Sequence, residues 1–243
     1  ILFTQNCYVN GNEEQRNRIL PKVVSGEWIG GMCMTEPGVG TDVMGMTTSA
    51  KADGDDYIVT GVKTFITNGG IDENTLGDVF IVYASTGPRE ISSFLVEKGM
   101  EGFALGQKWV DKLGMRASYT TELLFNEVRV PKANRLGEIG EGTTHMMRNL
   151  EIERLTLAAQ ATGIAQRSLQ VMSSYANDRK AFGKPIREFG QIQRYIAETF
   201  AEWRAALSFV YDTARRINLA NTGQRVDADA TKLFAAQVGK RAA

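Results

Sequence analysis

Histidine is almost missing from this chain, His145 being the only one. A structural zinc centre or a Ser-His triad normally needs an imidazole together with further partners, so both are nearly excluded. Cysteine is as sparse. Cys7 and Cys33 stand far apart and in no metal or redox spacing, which argues against a disulfide scaffold and suits a reducing compartment. An excess of either charge is lacking too: 28 basic residues balance 28 acidic ones, so no overall field favours nucleic acid or an anionic membrane. No apolar run approaches the roughly 20 residues of a membrane span and no signal peptide is visible, so a soluble protein is expected. What is present is ordinary globular composition, 243 residues of which 43% are hydrophobic, with room for a sizeable core in one large domain or two smaller ones. The first residue is Ile1, and Thr231 to Ala243 still reads as helix, so the chain is expected to be a segment of a longer one.

Along the chain the hydrophobic period changes. Asn10-Gly11-Asn12 followed by Glu13-Glu14-Gln15 predicts a helix capped by Asn12 with acidic residues in its first turn, and Pro21 predicts its end. From Asp42 to Val130 the period falls to two. Tyr57–Thr60 and Val62–Thr67, divided by Gly61, read as strands, as do Asp78–Ala84, Ile91–Val96 and Glu122–Val130. A run of short strands without intervening helices predicts a central antiparallel β-barrel or sandwich, ended by Pro131. From Glu138 helix formers take over, and Gly140-Glu141-Gly142-Thr143 marks the joint. Met146, Leu150, Leu157, Ala161, Ile164, Val171 and Tyr175 form one helical stripe reaching about Asn177. A second helix is expected from Pro185, with Phe189, Ile196, Phe200, Trp203, Leu207, Val210 and Ile217 on one face, and a third from about Val226. The fold class read from this pattern is α+β and multi-domain, the β-region being followed by an incomplete antiparallel helical bundle.

Four places carry chemical interest. In Met32-Cys33-Met34-Thr35-Glu36-Pro37-Gly38-Val39-Gly40-Thr41-Asp42 an apolar run opens into a glycine-punctuated loop whose free N–H groups and threonine hydroxyls suit an anionic or polar ligand; a turn that merely ends a strand is the alternative. Glu153 occupies the position between Leu150 and Leu157 where the helical period calls for an apolar side chain. Either Arg154 neutralises it, or pairs with Glu151 beside it, or the carboxylate is desolvated and serves as a general base. Arg179-Lys180-Ala181-Phe182-Gly183-Lys184 is a solvated inter-helix loop or a pyrophosphate clamp built on the forked Arg179 guanidinium. Phe65 and Thr67 alternate onto one face of a strand, as core and rim or as the aromatic wall and donor beside a flat heterocycle.

Five ordered motifs resemble the acyl-CoA dehydrogenase family, in particular its isovaleryl-CoA dehydrogenase-like branch. They are Met34-Thr35-Glu36-Pro37-Gly38-Val39-Gly40-Thr41-Asp42, Lys63-Thr64-Phe65-Ile66-Thr67-Asn68-Gly69, Asp111-Lys112-Leu113-Gly114-Met115-Arg116, Glu153-Arg154-Leu155 and Arg179-Lys180-Ala181-Phe182-Gly183-Lys184-Pro185. The resemblance implies the end of an N-terminal helical domain over 1–30, a middle β-domain over 31–138 and the first helices of a C-terminal bundle over 139–243. It implies an FAD enzyme, usually a homotetramer, that dehydrogenates an acyl-CoA and passes electrons to electron-transfer flavoprotein in a bacterial cytoplasm or a mitochondrial matrix. Met32, Cys33, Met34, Thr35, Gly40, Thr41, Phe65, Ile66 and Thr67 would line the flavin, with Thr35 and Thr67 donating to its ring. Arg179 would reach the FAD pyrophosphate of a neighbouring subunit, and Phe182 would pack near the cofactor. Thr41 would also meet the acyl-CoA, Thr144 would lie near its acyl end, and Glu151 and Arg154 would line its channel. Glu153 would be the catalytic base, since this branch places it on the first bundle helix.

The sequence departs from the family pattern at Phe65, where tryptophan is usual, and at Gly190, where a glutamine usually contacts FAD and Gln191 or Gln193 stands nearby. The family's closing segment lies beyond Ala243. Other readings are a flavin oxidase or a dicarboxyl- or cyclic acyl-CoA dehydrogenase on the same scaffold, and a non-catalytic interaction module.

Overall fold

Asn10-Gly11-Asn12 is where one helix gives way to the next: α1 spans Leu2–Asn10 and α2 Glu13–Ser25. The Asn12 side chain accepts from the Gln15 N–H at 2.8 Å while Gln15 Oε1 accepts from the Asn12 N–H at 3.1 Å, satisfying two helix-end donors reciprocally. The expected stop at Pro21 is wrong, because Pro21 lies inside α2 and the helix continues to a left-handed Gly26 with φ 81°. A proline there removes one backbone bond. The helix tolerates the loss because it is capped at both ends and anchored ahead of the proline by Ile19, fully buried, and by Gln15, whose amide donates to the Ala133 and Arg135 carbonyls at 2.8 Å.

The computed structural model describes residues 2–218 and 225–243, in two compact units divided after Asn149. In the first, β1 (Gly30–Cys33), β2 (Ser49–Asp53), β3 (Asp56–Thr67), β4 (Val79–Gly87), β5 (Glu90–Glu97), β6 (Phe103–Trp109), β7 (Thr120–Pro131) and β8 (Arg135–Leu136) form one sheet in the order β6-β7-β3-β2-β4-β5-β8, with β1 also on β4. The sheet is mixed rather than purely antiparallel, since β1 runs parallel to β4 and β2 touches β4 in parallel at Ser49–Ser85. It folds over on itself. Phe80 of β4 meets Phe103 of β6 at 5.6 Å between ring centres, and Tyr57 of β3 meets Phe94 of β5 at 4.9 Å, so strands remote in the ladder share one core. The strands expected on either side of Gly61 are a single strand, β3. Gly61 sits at a register shift with φ 154°, and a Cβ there would lie 2.4 Å from Thr48 Oγ1, so the glycine bends the strand without ending it.

The long helix α3 (Gly142–Asp178) begins in the first unit and continues into the second, which adds a hairpin of β9 (Lys180–Ala181) and β10 (Lys184–Pro185), then α4 (Gly190–Arg216) and α5 (Arg225–Ala242). The second unit's core is small-residue packing: Ala158, Ala161, Ala165, Ala206, Val210, Ala235, Val238 and Ala242. Met146 and Ala161 of the expected α3 stripe are buried, but along the rest of the helix the buried face is shifted by one position. Ala158 and Ala165 are fully buried, whereas Leu157, Ile164, Val171 and Tyr175 are exposed. Alanine lets helix axes approach closely, and that gain fixes which face turns inward. Pro185 does not open the second helix either, because Lys184 and Pro185 pair back onto Ala181 and Lys180 and a 3₁₀ turn, Ile186–Glu188, intervenes before α4. The expected start near Val226 agrees with α5 beginning at Arg225.

Candidate functional site

Within the first unit, the glycine loop lies alongside the end of β3. Asn68 Nδ2 donates to the Gly30 carbonyl at 3.3 Å, Gly31 abuts the Thr67 carbonyl, and the Thr64 N–H donates to the Thr35 carbonyl at 2.8 Å. The two segments therefore run antiparallel, and the Met34–Thr41 loop is placed beside Phe65 and Thr67 by one long-range backbone bond and by the Asn68 side-chain amide. Gly31 is required here. An added Cβ would come within 2.9 Å of the Phe80 ring and 3.0 Å of the Thr67 oxygen.

The outer side of this edge is open. A Cβ built on Gly38 or Gly40 meets nothing within 4 Å, and the Thr35 and Thr67 hydroxyls have no partner among the described residues. Phe65, 60% exposed, is held at φ 57° on a bulge of β3, a conformation that costs an aromatic residue about 1 kcal/mol or more and aims its ring away from the core. Its ring packs on Trp109 at 4.6 Å between centres. Thr41 is exposed and Met32 and Met34 half-buried, whereas the Cys33 and Ile66 side chains belong to the core. Burial lifts the Cys33 thiol well above the usual thiol range, so these two residues can offer a ligand only backbone groups. An unpaired hydroxyl pair, an exposed ring and an uncovered glycine loop on one edge fit a flat, polar-edged heterocycle such as flavin.

Two motif residues, Lys63 and Glu36, hold this edge together. The Lys63 ammonium, with no exposure, donates to Glu36 Oε1 at 2.9 Å and to the Met34 carbonyl at 3.1 Å. The Glu36 carboxylate also accepts from the Thr47 N–H and hydroxyl at 2.7 Å each and from the Thr48 N–H at 2.9 Å. Burial by itself would raise its pKa; the bonds from Thr47 and Thr48, with Lys63, more than reverse this and hold it at about 2. Nothing in the sequence flags a lysine in a strand as fully buried, because its partner lies 27 positions away.

In the second unit Glu153 is half-buried on α3, and burial raises its carboxyl above the ordinary value against the opposing pull of Arg154 and Lys232. The simpler expectation, that Arg154 pairs with Glu151 or Glu153, fails. Arg154 Nε instead reaches Asp229 of α5 at 3.0 Å, while Glu151 is buried. Glu153 thus keeps a half-buried carboxylate without a bonded cation among the described residues. Asp229 and Lys232 carry no signal in the sequence, since only packing brings α5 to α3. Arg179 and Phe182 lie on the β9–β10 hairpin, whose Phe182-Gly183 turn has φ 50° and 78°. Phe182 is 95% exposed and the Arg179 guanidinium has no partner among the described residues, so both are available to a ligand or another chain. The Gln193 amide is engaged by the Arg187 carbonyl at 2.9 Å, which leaves Gln191 as the freer of the two glutamines. Thr144 is exposed near the start of α3. No cluster of three metal-ligating side chains occurs among the described residues, and no described helix is long and apolar enough to cross a membrane.

Comparison with known proteins agrees with this arrangement. Residues 31–128 match the family model described as acyl-CoA dehydrogenase, middle domain, and residues 140–243 match acyl-CoA dehydrogenase, C-terminal domain. The chain is 42% identical to the mitochondrial isovaleryl-CoA dehydrogenase of Pongo abelii over 85% of its own length and 49% of that protein. It superposes on butyryl-CoA dehydrogenase from Megasphaera elsdenii with a TM-score of 0.92 at 36% identity, covering 99% of this chain and 62% of that one. A glutaryl-CoA dehydrogenase from Mycobacterium smegmatis, solved with FADH2, gives 0.88 at 30% identity, covering 98% and 59%. The chain spans about half the length of the curated relatives it matches. With both β-unit and bundle matched in sequence and in fold, the chain belongs to the acyl-CoA dehydrogenase family.

Proposed function

We propose that the protein carrying this chain oxidises an acyl-CoA thioester to its trans-2-enoyl-CoA with FAD as cofactor. The observation that carries the reading is Glu153, a half-buried carboxylate made more basic by burial, with no bonded cation among the described residues, Arg154 reaching Asp229 instead. Glu153 takes the proton α to the thioester carbonyl, becoming the neutral acid. FAD, when bound, supplies the two-electron acceptor for the hydride leaving the β-carbon. A raised carboxylate pKa narrows the gap to a weakly acidic C–H, and a well-placed base of this kind is worth roughly 10²- to 10⁴-fold in rate. Thr35, Phe65 and Thr67 hold the flavin ring; Met32, Cys33, Met34, Gly40, Thr41 and Ile66 line it, the buried members through their backbone. Arg179 and Phe182 serve cofactor binding in a neighbouring subunit of a homotetramer. Thr41, Thr144, Glu151 and Arg154 border the substrate, and electron-transfer flavoprotein reoxidises the enzyme.

The test is Glu153→Gln in the full-length protein. The variant is expected to retain yellow bound flavin and to lose its bleaching by isovaleryl-, butyryl- and octanoyl-CoA under anaerobic conditions. Bleaching at the parent rate would refute the assignment of the base. Hydrogen peroxide formed during turnover in air would redirect the reading to an oxidase.

A further inference from the structure

A buried ion pair is poor evidence of a need for stability, because apolar replacements of similar volume often stabilise a fold as well or better. The Lys63–Glu36 pair is buried on every side, and its geometry points to a different use. Lys63 spends one donor on Glu36 and another on the Met34 carbonyl, with Met46 Sδ at 3.9 Å as its remaining neighbour. The Met34–Thr35 peptide is trans, so its carbonyl and its N–H point in opposite directions. Drawing that carbonyl inward turns the Thr35 N–H outward. That N–H has no partner among the described residues, while the Thr35 carbonyl on its other side is fixed by the Thr64 N–H at 2.8 Å. Glu36 in turn grips Thr47 and Thr48, closing the loop around the lysine.

We infer that Lys63 is a positioning residue of the flavin edge, with Glu36 as its counter-charge: the ammonium fixes the Met34–Thr35 peptide so that the Thr35 N–H is presented as a ready donor to the bound ring. The inference rests on the flavin reading above and adds to it a device for holding a donor that needs no reorganisation when the ligand arrives. It accounts for the choice of lysine over an apolar residue. A methionine would fill the space but leave the peptide plane free to rotate.

Full-length protein is compared with Lys63→Met, Glu36→Gln and the pair Lys63→Met/Glu36→Gln, measuring thermal midpoint, FAD dissociation constant and the reduction potential of the bound flavin. Lys63→Met is expected to lower the midpoint, weaken FAD at least tenfold and shift the potential to lower values, since a donor to the reduced ring is lost. The paired variant, which no longer buries a lone carboxylate, is expected to recover much of the midpoint but neither the affinity nor the potential. Glu36→Gln, which leaves Lys63 an oxygen to sit on and the Met34 carbonyl to hold, keeps the potential near that of the parent. Recovery of affinity and potential together with stability in the paired variant would reduce Lys63 to a packing residue and overturn the inference. So would a shift in Glu36→Gln as large as that in Lys63→Met. A parent protein that binds no FAD would overturn the flavin reading itself, whereas tight binding and an unchanged potential in every variant would overturn only the positioning role.

Discussion

At the scale of single residues, burial decides chemistry here more than residue type does. His145, the lone imidazole, sits 4% exposed in the first unit with Nδ1 2.9 Å from Ser93 Oγ. The Ser93 hydroxyl already donates to the Leu136 carbonyl at 3.0 Å, so it accepts from His145 and the neutral ring carries its proton on Nδ1. Burial pulls the imidazole below its usual value, Arg148 adds to this, and Glu141, 3.5 Å from Nε2, opposes it. The folded state therefore binds a proton less readily than the unfolded chain, whose imidazole titrates near 6.5. As pH falls through 6.5 the unfolded state gains a proton first, so stability declines from that point downward, by at most about 1.4 kcal/mol per pH unit for one group. Urea melts between pH 8 and pH 5 should show that decline, and His145→Gln should flatten it. Glu153 and Lys63 teach the same lesson. Both are visible as letters in motifs, but which of them is desolvated, and by what, is set by residues far away in sequence.

At the scale of elements, local rules succeeded where neighbours in sequence decide and failed where a distant partner does. The Asn12 cap, the β-region between Asp42 and Pro131 and the start of α5 all follow from turn chemistry and period. The short strands β1, β2 and β8 were not legible, since they exist only by pairing with β4, β3 and β5. Pro21 and Gly61 read as stops and are not, because caps and cross-strand bonds outweigh one missing donor or one flexible joint. The slip of the α3 stripe has a testable consequence at Gly239 of α5, where a Cβ would lie 3.0 Å from the Ala161 carbonyl and 3.3 Å from its Cβ. Gly239→Leu should force α5 off α3 and destabilise the second unit by about 1–3 kcal/mol, seen as a lower thermal midpoint. Gly239→Ala, whose gain in helix propensity of about 1 kcal/mol opposes a milder clash, should change it far less.

At the scale of the whole molecule, the balance of 28 basic and 28 acidic residues gives a sequence pI of about 6.8. Self-association is expected to peak near that pH and to fall on either side as net charge returns, which light scattering across pH 5 to 9 would record; a minimum of scattering near pH 7 would contradict it. The sequence alone determined the α+β class, the passage from sheet to bundle, the family and the motifs that hold the candidate residues, because each is written in short-range patterns or in ordered runs of letters. The tertiary structure decided which of those letters do something: that Lys63 is buried against Glu36, that Arg154 turns to Asp229, that alanines rather than leucines line the bundle core. Those outcomes depend on contacts between segments tens of residues apart, where desolvation and close packing, rather than local propensity, set the free energy.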